Sequence, residues 1–419
     1  MQAQGCPGTD LVLRAAWLCP SPERVFGPGG LELGSGRVLG VWPAGQELER
    51  ACRRAARVVD LGAALLVHAP INAHAHLELS GLAGRLAPGS PFGAWVRGVL
   101  AWRAERGAEG LTQDWLLGLS LAAAGGACAV GDIDATGAAW RAQLPPGPWP
   151  AVLVHRELLD ARDPARLAPE LARLEPSPSA PGRFAGLSPH APQTVSETLL
   201  VAVGAAQLRA PRRLQIHWAE TKEELDWWQG RGGPLRDWLG ETPALRPDRE
   251  PASYLDFLER AGLLGPQTTL VHGNLPRPGE PERLARAGVR LVHCPGSHAF
   301  FGRPPFDLER YLSAGVQLAI GTDSLASNAS LDLLRELELL ARANPALDPA
   351  LLWSLATRGG AGVLGSGLAA GVLESGAPAH VLAVEVDTRD PRQALERLIL
   401  GPRGRRRLWI GGLEWPKES

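Results

Sequence analysis

Two histidines one residue apart, His74 and His76, are where chemistry first becomes visible in this chain. They end an apolar, β-prone stretch, Leu65–Leu82, that reads LLVHAPINAHAHLELSGL. Successive side chains of a strand point to opposite sides, so residues two apart share a face. The two imidazoles can therefore converge on one metal ion. A lone His-x-His pair also arises by chance. Here further ionisable residues end later strand-like runs: His155, His190, His217, His272, His293 and Asp323. The whole chain has ten histidines, and most of them fall at such ends. Imidazole and carboxylate suit a zinc-like ion, and three or four protein ligands with one open position make such a site catalytic.

Those residues need a scaffold that gathers strand ends. Eight short, mostly continuous apolar runs recur: Leu65–Asn72, Ala127–Asp134, Ala151–Leu158, Arg183–His190, Arg213–Glu220, Thr268–Asn274, Val289–Pro295 and Val316–Asp323. Helical segments separate them, as at Phe92–Arg106, Thr112–Ala124, Val195–Leu208 and Leu331–Ala343. Parallel strands buried on both faces read this way, and eight β/α units predict an α/β fold, a (β/α)8 TIM barrel over residues 65–365. Barrel chemistry gathers at the C-terminal strand ends, where these residues lie. A doubly wound open sheet is the rival, weakened by the lack of GxGxxG after the first strand.

Both chain ends have another texture. Leu11 to Ala64 holds short strand-like pieces punctuated by Gly and Pro, and Ala379–Asp387 and the segment near Leu408 repeat it. The ends are expected to form one small β domain from residues 1–64 and 366–419, with two separate β appendages as the alternative.

Composition removes several functions. The formal net charge of -1 gives no footprint for nucleic acid or an anionic membrane. No apolar run reaches the ~18 residues of a membrane span. MQAQGCPGTD at the start has neither a basic region nor an apolar core, so a cytoplasmic protein is expected. Cys6, Cys19, Cys52, Cys128 and Cys294 are scattered without CxxC pairs, which argues against a disulfide framework or a cysteine zinc knuckle. The lysines are Lys222 and Lys417, and neither follows a phosphate-cradling GxxxxGK[ST] loop. The expected partner is a small molecule; oligomeric state is not readable.

HAH on the first strand, IHWAE on the fifth, VHGN on the sixth, HCPGS on the seventh and GTDSLASN on the eighth resemble the amidohydrolase superfamily. More narrowly they resemble its aminohydrolase branch, the deaminases of cyclic amidines. HLELS, SPHAPQTVS and SHAFFGRPPFDLERYL are most similar to aminodeoxyfutalosine deaminases of menaquinone biosynthesis. The resemblance spans about Leu65 to Gly360 and implies one divalent metal, Zn or Fe(II), on His74, His76, His217 and Asp323. It implies Glu220 as the acid/base group, His272 as the group that orients water, and Asp323 as a proton shuttle. Glu220 could instead be a helix-start carboxylate, favoured by the helix dipole, and His272 a buried histidine bonded to backbone. The fourth strand ends in SPHAP with no lysine, which excludes a lysine-bridged binuclear centre. His298 stands where many relatives carry Asn.

The implied reaction is hydrolytic deamination of an adenine-type nucleoside, with release of ammonia. Three substrate contacts are expected. Glu78 would accept bonds from ribose hydroxyls, unless it is a solvated loop carboxylate. His190 would donate to base or sugar, unless it is packed under its loop. Arg156 would meet a benzoate carboxylate, unless it pairs with Glu157. The alternatives are a hydrolase expelling another group from a purine, pyrimidine or triazine, and a non-catalytic metal-binding homologue.

Overall fold

The computed structural model describes residues 9–416 except 161–162, 176–179, 240–252, 366 and 368. Cys6 and Lys417 lie outside the described residues. An eight-stranded parallel sheet runs β1 (Ile71–Ala75), β2 (Ala129–Asp134), β3 (Ala151–Leu158), β4 (Arg183–Pro189), β5 (Leu214–Trp218), β6 (Thr268–His272), β7 (Arg290–His293) and β8 (Gln317–Ile320), each paired with the next. A parallel bridge between Ala75 and Asp323 brings the last strand back to the first. The barrel expectation holds. Gly321 allows this closure, because a Cβ there would lie 2.7 Å from the His74 carbonyl oxygen.

The first strand differs from expectation. The run Leu65–Asn72 is divided: Ala64–His68 is a strand of a flanking sheet, and β1 starts only at Ile71. Ala69–Pro70 separates them, since Pro cannot donate to a ladder and restricts the residue before it. Ala64–His68 pairs antiparallel with Val381–Glu385 and parallel with Trp17–Ser21, so the two chain ends do meet in one sheet. A second flanking sheet joins Leu11–Ala15, Gly29–Gly34, Arg37–Pro43 and Arg57–Asp60. Leu13, Leu18, Leu31, Leu66, Val381 and Trp409 fill the core there.

The two helices expected after β1 form one element, α1 (Phe92–Ala124), broken by Gly107 at φ 59°. Glycine adopts that left-handed conformation without a Cβ penalty. Leu270, Leu291 and Ile216 of the strands pack with the helical Leu199, Leu284 and Leu337 in the main core.

Candidate active site

Four strand ends converge. His74 is on β1, and His76 follows one residue beyond it. His217 is on β5, His272 ends β6, and Asp323 follows β8. The ring centres of His74, His76 and His217 lie 5.1–5.3 Å from one another. His272 stacks on His217 at 5.5 Å. His272 and Asp323 hold left-handed φ values of 76° and 58°. Such backbone costs about 1–3 kcal/mol per residue and persists where the surroundings over-determine it.

The hydrogen bonds set the tautomers. His74 Nδ1 faces Gln215 Oε1 at 2.8 Å, while the Gln215 amide donates to the Ala73 carbonyl. His74 therefore donates from Nδ1, and its buried Nε2 keeps a lone pair with no hydrogen-bond partner. His217 Nδ1 donates to the His190 carbonyl at 3.0 Å, which leaves its Nε2 lone pair facing His76 Nε2 at 3.3 Å. Asp323 Oδ1 is 3.6 Å from His76 Nε2 and 3.9 Å from His74 Nε2. Ligands ~2.0–2.1 Å from a tetrahedral ion lie roughly 3.3–3.4 Å apart. Converging lone pairs at this spacing fit a divalent cation, and His74, His76 and Asp323 form one candidate cluster, His74, His217 and His272 another.

Burial lowers the pKa values of His74, His76 and His272, as metal binding requires of neutral donors. Burial pushes His74 down to about 4, with His217 adding to the effect. His76 and His272 are held well below the ordinary value, again by burial first. Burial opposes ionisation of Asp323, but His272 and His74 beside it hold the carboxyl below its usual range.

Several supports escaped the sequence reading. Gln215 shares a strand face with His217, a polar alternation inside an apolar strand that could have revealed it. Asp132 accepts from the Leu77 amide and Trp115 Nε1, at 2.9 and 2.7 Å, and so holds the turn that carries His76. Glu224 accepts from the amides of Ala219 and Glu220, both at 2.9 Å, and braces the turn after β5. Glu220 itself is buried, 3.8 Å from His272 Nε2, and accepts from Arg303 at 2.9 Å.

A cavity of about 390 Å³ opens beside this cluster. His76, His217, Glu220, His272 and Asp323 line one end. His190, Glu157, Arg103 and Arg166 line it further out, with Leu79, Phe92, Trp95, Val99, Leu235 and Trp238 as apolar wall. His190 lines the cavity, but it donates from Nδ1 to Thr194 Oγ1 at 2.7 Å, since that hydroxyl itself donates to Ala191, so its Nε2 offers base or sugar a lone pair instead of the expected proton.

Two expected contacts are not brought to the cavity. Glu78 is fully buried behind the wall, accepting from Thr136 and paired with Arg103 at 2.9 Å. The helical turn Leu77–Leu82 directs it inward, so Arg103 rather than Glu78 meets the cavity. Arg156 faces the helical layer, donating to the Arg173 carbonyl at 2.5 Å. Strand alternation is the reason: Glu157, one residue on, takes the inward side. His155 and His293 are buried, and His293 stacks on Phe306 at 3.8 Å.

A model of the amidohydrolase family matches residues 69–402. The chain belongs to that family. It is 34% identical over 350 residues to an aminodeoxyfutalosine deaminase of Deinococcus radiodurans, covering 76% of this chain and 77% of that one. It is 30% identical to a 5-methylthioadenosine/S-adenosylhomocysteine deaminase of Halobacterium salinarum, covering 83% of this chain and 77% of that one. A zinc-bound adenosine deaminase structure from Xanthomonas campestris aligns with TM-score 0.75 at 25% identity, over 98% of this chain and 93% of that one. Helicobacter pylori aminofutalosine deaminase, in complex with methylthio-coformycin, shares the fold with TM-score 0.79 at 21% identity, over 97% and 100% of the two chains.

Proposed function

We propose that this member of the family is a hydrolytic deaminase of adenine-type nucleosides, with aminodeoxyfutalosine as its substrate. The observation that carries the reaction class is the convergence of imidazole lone pairs and Asp323 beside a buried carboxylate, Glu220. His74, His76, His217 and Asp323 would hold a divalent ion, Zn before Fe(II), although imidazole and carboxylate donors accept both. An ion there supplies a Lewis acid that makes water nucleophilic at neutral pH. Glu220 delivers a proton to the ring nitrogen next to the amine-bearing carbon, so charge does not build up there. Asp323 takes one proton of the attacking water and passes it to the departing amine, which leaves as ammonia, while the other proton of that water restores Glu220. His272 Nε2, on the cavity wall, orients the attacking water.

The narrower substrate rests on the Deinococcus relative and on the wall. Buried Glu157, beside His190 at 3.7 Å, takes over the ribose contact first assigned to Glu78. Arg166 takes over the carboxylate contact first assigned to Arg156, while donating to Glu170. The apolar lining around Trp95, Leu235 and Trp238 also fits a smaller 5′-methylthio group, so 5′-methylthioadenosine is the second reading. An ammonia-release screen with aminodeoxyfutalosine, 5′-methylthioadenosine, adenosine, guanine and cytosine tests this. The expected order puts aminodeoxyfutalosine first in kcat/KM. Preference for guanine or cytosine over every adenine nucleoside would overturn the substrate class.

A further inference from the structure

Glu220 is braced at three points. Its amide donates to Glu224, and its carbonyl accepts from Asn274 Nδ2 at 3.0 Å. Its carboxylate accepts from Arg303 Nη2 at 2.9 Å. The Arg303 and Glu220 side chains are 9% and 10% exposed, so water screens this pair far less than a surface pair. The Arg303 guanidinium lies 4.5 Å over the Phe301 ring. Phe301 in turn packs against Phe92 and Trp95 of the cavity wall.

Arg303 lies in the segment after β7, and that segment also touches Asn274, which follows β6. The His298 ring contacts the Pro304 carbonyl at 2.7 Å and Asn274 Oδ1 at 3.1 Å. The Arg303 amide donates to the His298 carbonyl at 3.3 Å. His298 thus ties the loop bearing Arg303 to the same Asn274 that holds the Glu220 carbonyl. This gives a task to the histidine that stands where many relatives carry Asn.

Resting on the deaminase reading, we propose that Arg303 is a positioning residue, whose guanidinium fixes the Glu220 carboxylate where it meets the substrate ring nitrogen. A glutamate side chain left free would spread over several staggered rotamers. Proton transfer requires heavy atoms about 2.6–3.2 Å apart, and a 1 Å misplacement costs roughly 100-fold. Arg303 does not line the cavity, which separates its role from substrate binding.

The test compares Arg303→Gln, Arg303→Met and Arg303→Lys with the wild type, on adenosine and on 5′-methylthioadenosine. The neutral variants should lower kcat roughly 10- to 100-fold with KM within about threefold. Both nucleosides should lose the same factor, because Glu220 meets the base and not the 5′ arm. Arg303→Lys should recover part of the lost kcat. Unchanged kcat, a rise confined to KM, or losses differing by more than about tenfold between the nucleosides would overturn the proposal. So would failure of both neutral variants to fold, which would mark a purely structural ion pair. A wild type that releases no ammonia from any adenine nucleoside would instead sink the deaminase reading.

Discussion

The two ends of the cavity are built on different principles. At the inner end, imidazoles and one carboxylate point lone pairs at a common centre, and the outer atoms of His74, His217 and Asp323 are already bonded. At the outer end, charges are balanced against each other: Arg103 lies 2.9 Å from Glu78 and 3.8 Å from Glu157, and His190 lies 3.7 Å from Glu157. The inner end presents donor atoms to a cation that would come from outside the chain. The outer end carries its own counter-charge, so its residues divide between holding the wall and meeting a substrate. Position in the strand does not tell which does which.

The largest expected effect is at the inner end. His217→Ala should remove most bound metal and nearly all turnover together, by elemental analysis and ammonia release. Full metal content in that variant would break the ligand assignment. Two metals per active chain in the wild type would equally defeat the mononuclear arrangement.

Glu220→Gln comes next. It should keep metal and fold but lower kcat at least ~100-fold, the scale of general acid–base catalysis. Near-normal turnover would reduce Glu220 to a helix-start carboxylate.

At the outer end the expected effect moves from rate to stability. Glu78→Ala leaves Arg103 without its closest partner and should cost about 3–5 kcal/mol in denaturant unfolding, as for a broken buried pair. Its effect on kcat/KM should be similar for adenosine and free adenine. A loss confined to nucleosides would restore Glu78 as a ribose contact and blur the contrast between the ends.

The last effect is spread out as a slope with pH. Burial, and then the Glu78 charge, raise the Asp134 pKa to about 7. The unfolded chain releases that proton near ~3.9. Between these values the folded state binds more protons, so stability contributed here falls as pH rises from about 4 to about 7. Asp134→Asn stays neutral throughout and should flatten that fall. Urea midpoints at pH 5 and pH 8, in wild type and variant, measure it; equal slopes would show that Asp134 ionises normally.

How much was legible follows from the range of each interaction. Hydrophobic runs and their spacing are local, so the eight strands and the barrel could be read directly. The break at Ala69–Pro70 was missed, because an apolar run reads alike in a flanking sheet and in a barrel. The pairing of Ala64–His68 with Val381–Glu385 decides between them, and those residues are far apart in the chain. Arg303 belongs to the family-like motif SHAFFGRPPFDLERYL, yet nothing local places its guanidinium on Glu220, 83 residues earlier.

The sequence by itself determined the family and the candidate ligand types, with their order along the strands. His74, His76, His217, His272 and Asp323 could be placed at strand ends because a strand's period of two and a barrel's polarity leave little freedom. Only the tertiary structure decided which polar side chains face the cavity beyond them. Glu157 took the inward side of β3 and Arg156 the outward, while Glu78 turned behind the wall to meet an arginine from α1. The physical reason is that a buried charge settles where its counter-charge is, and that partner comes from another element at a distance no local pattern encodes.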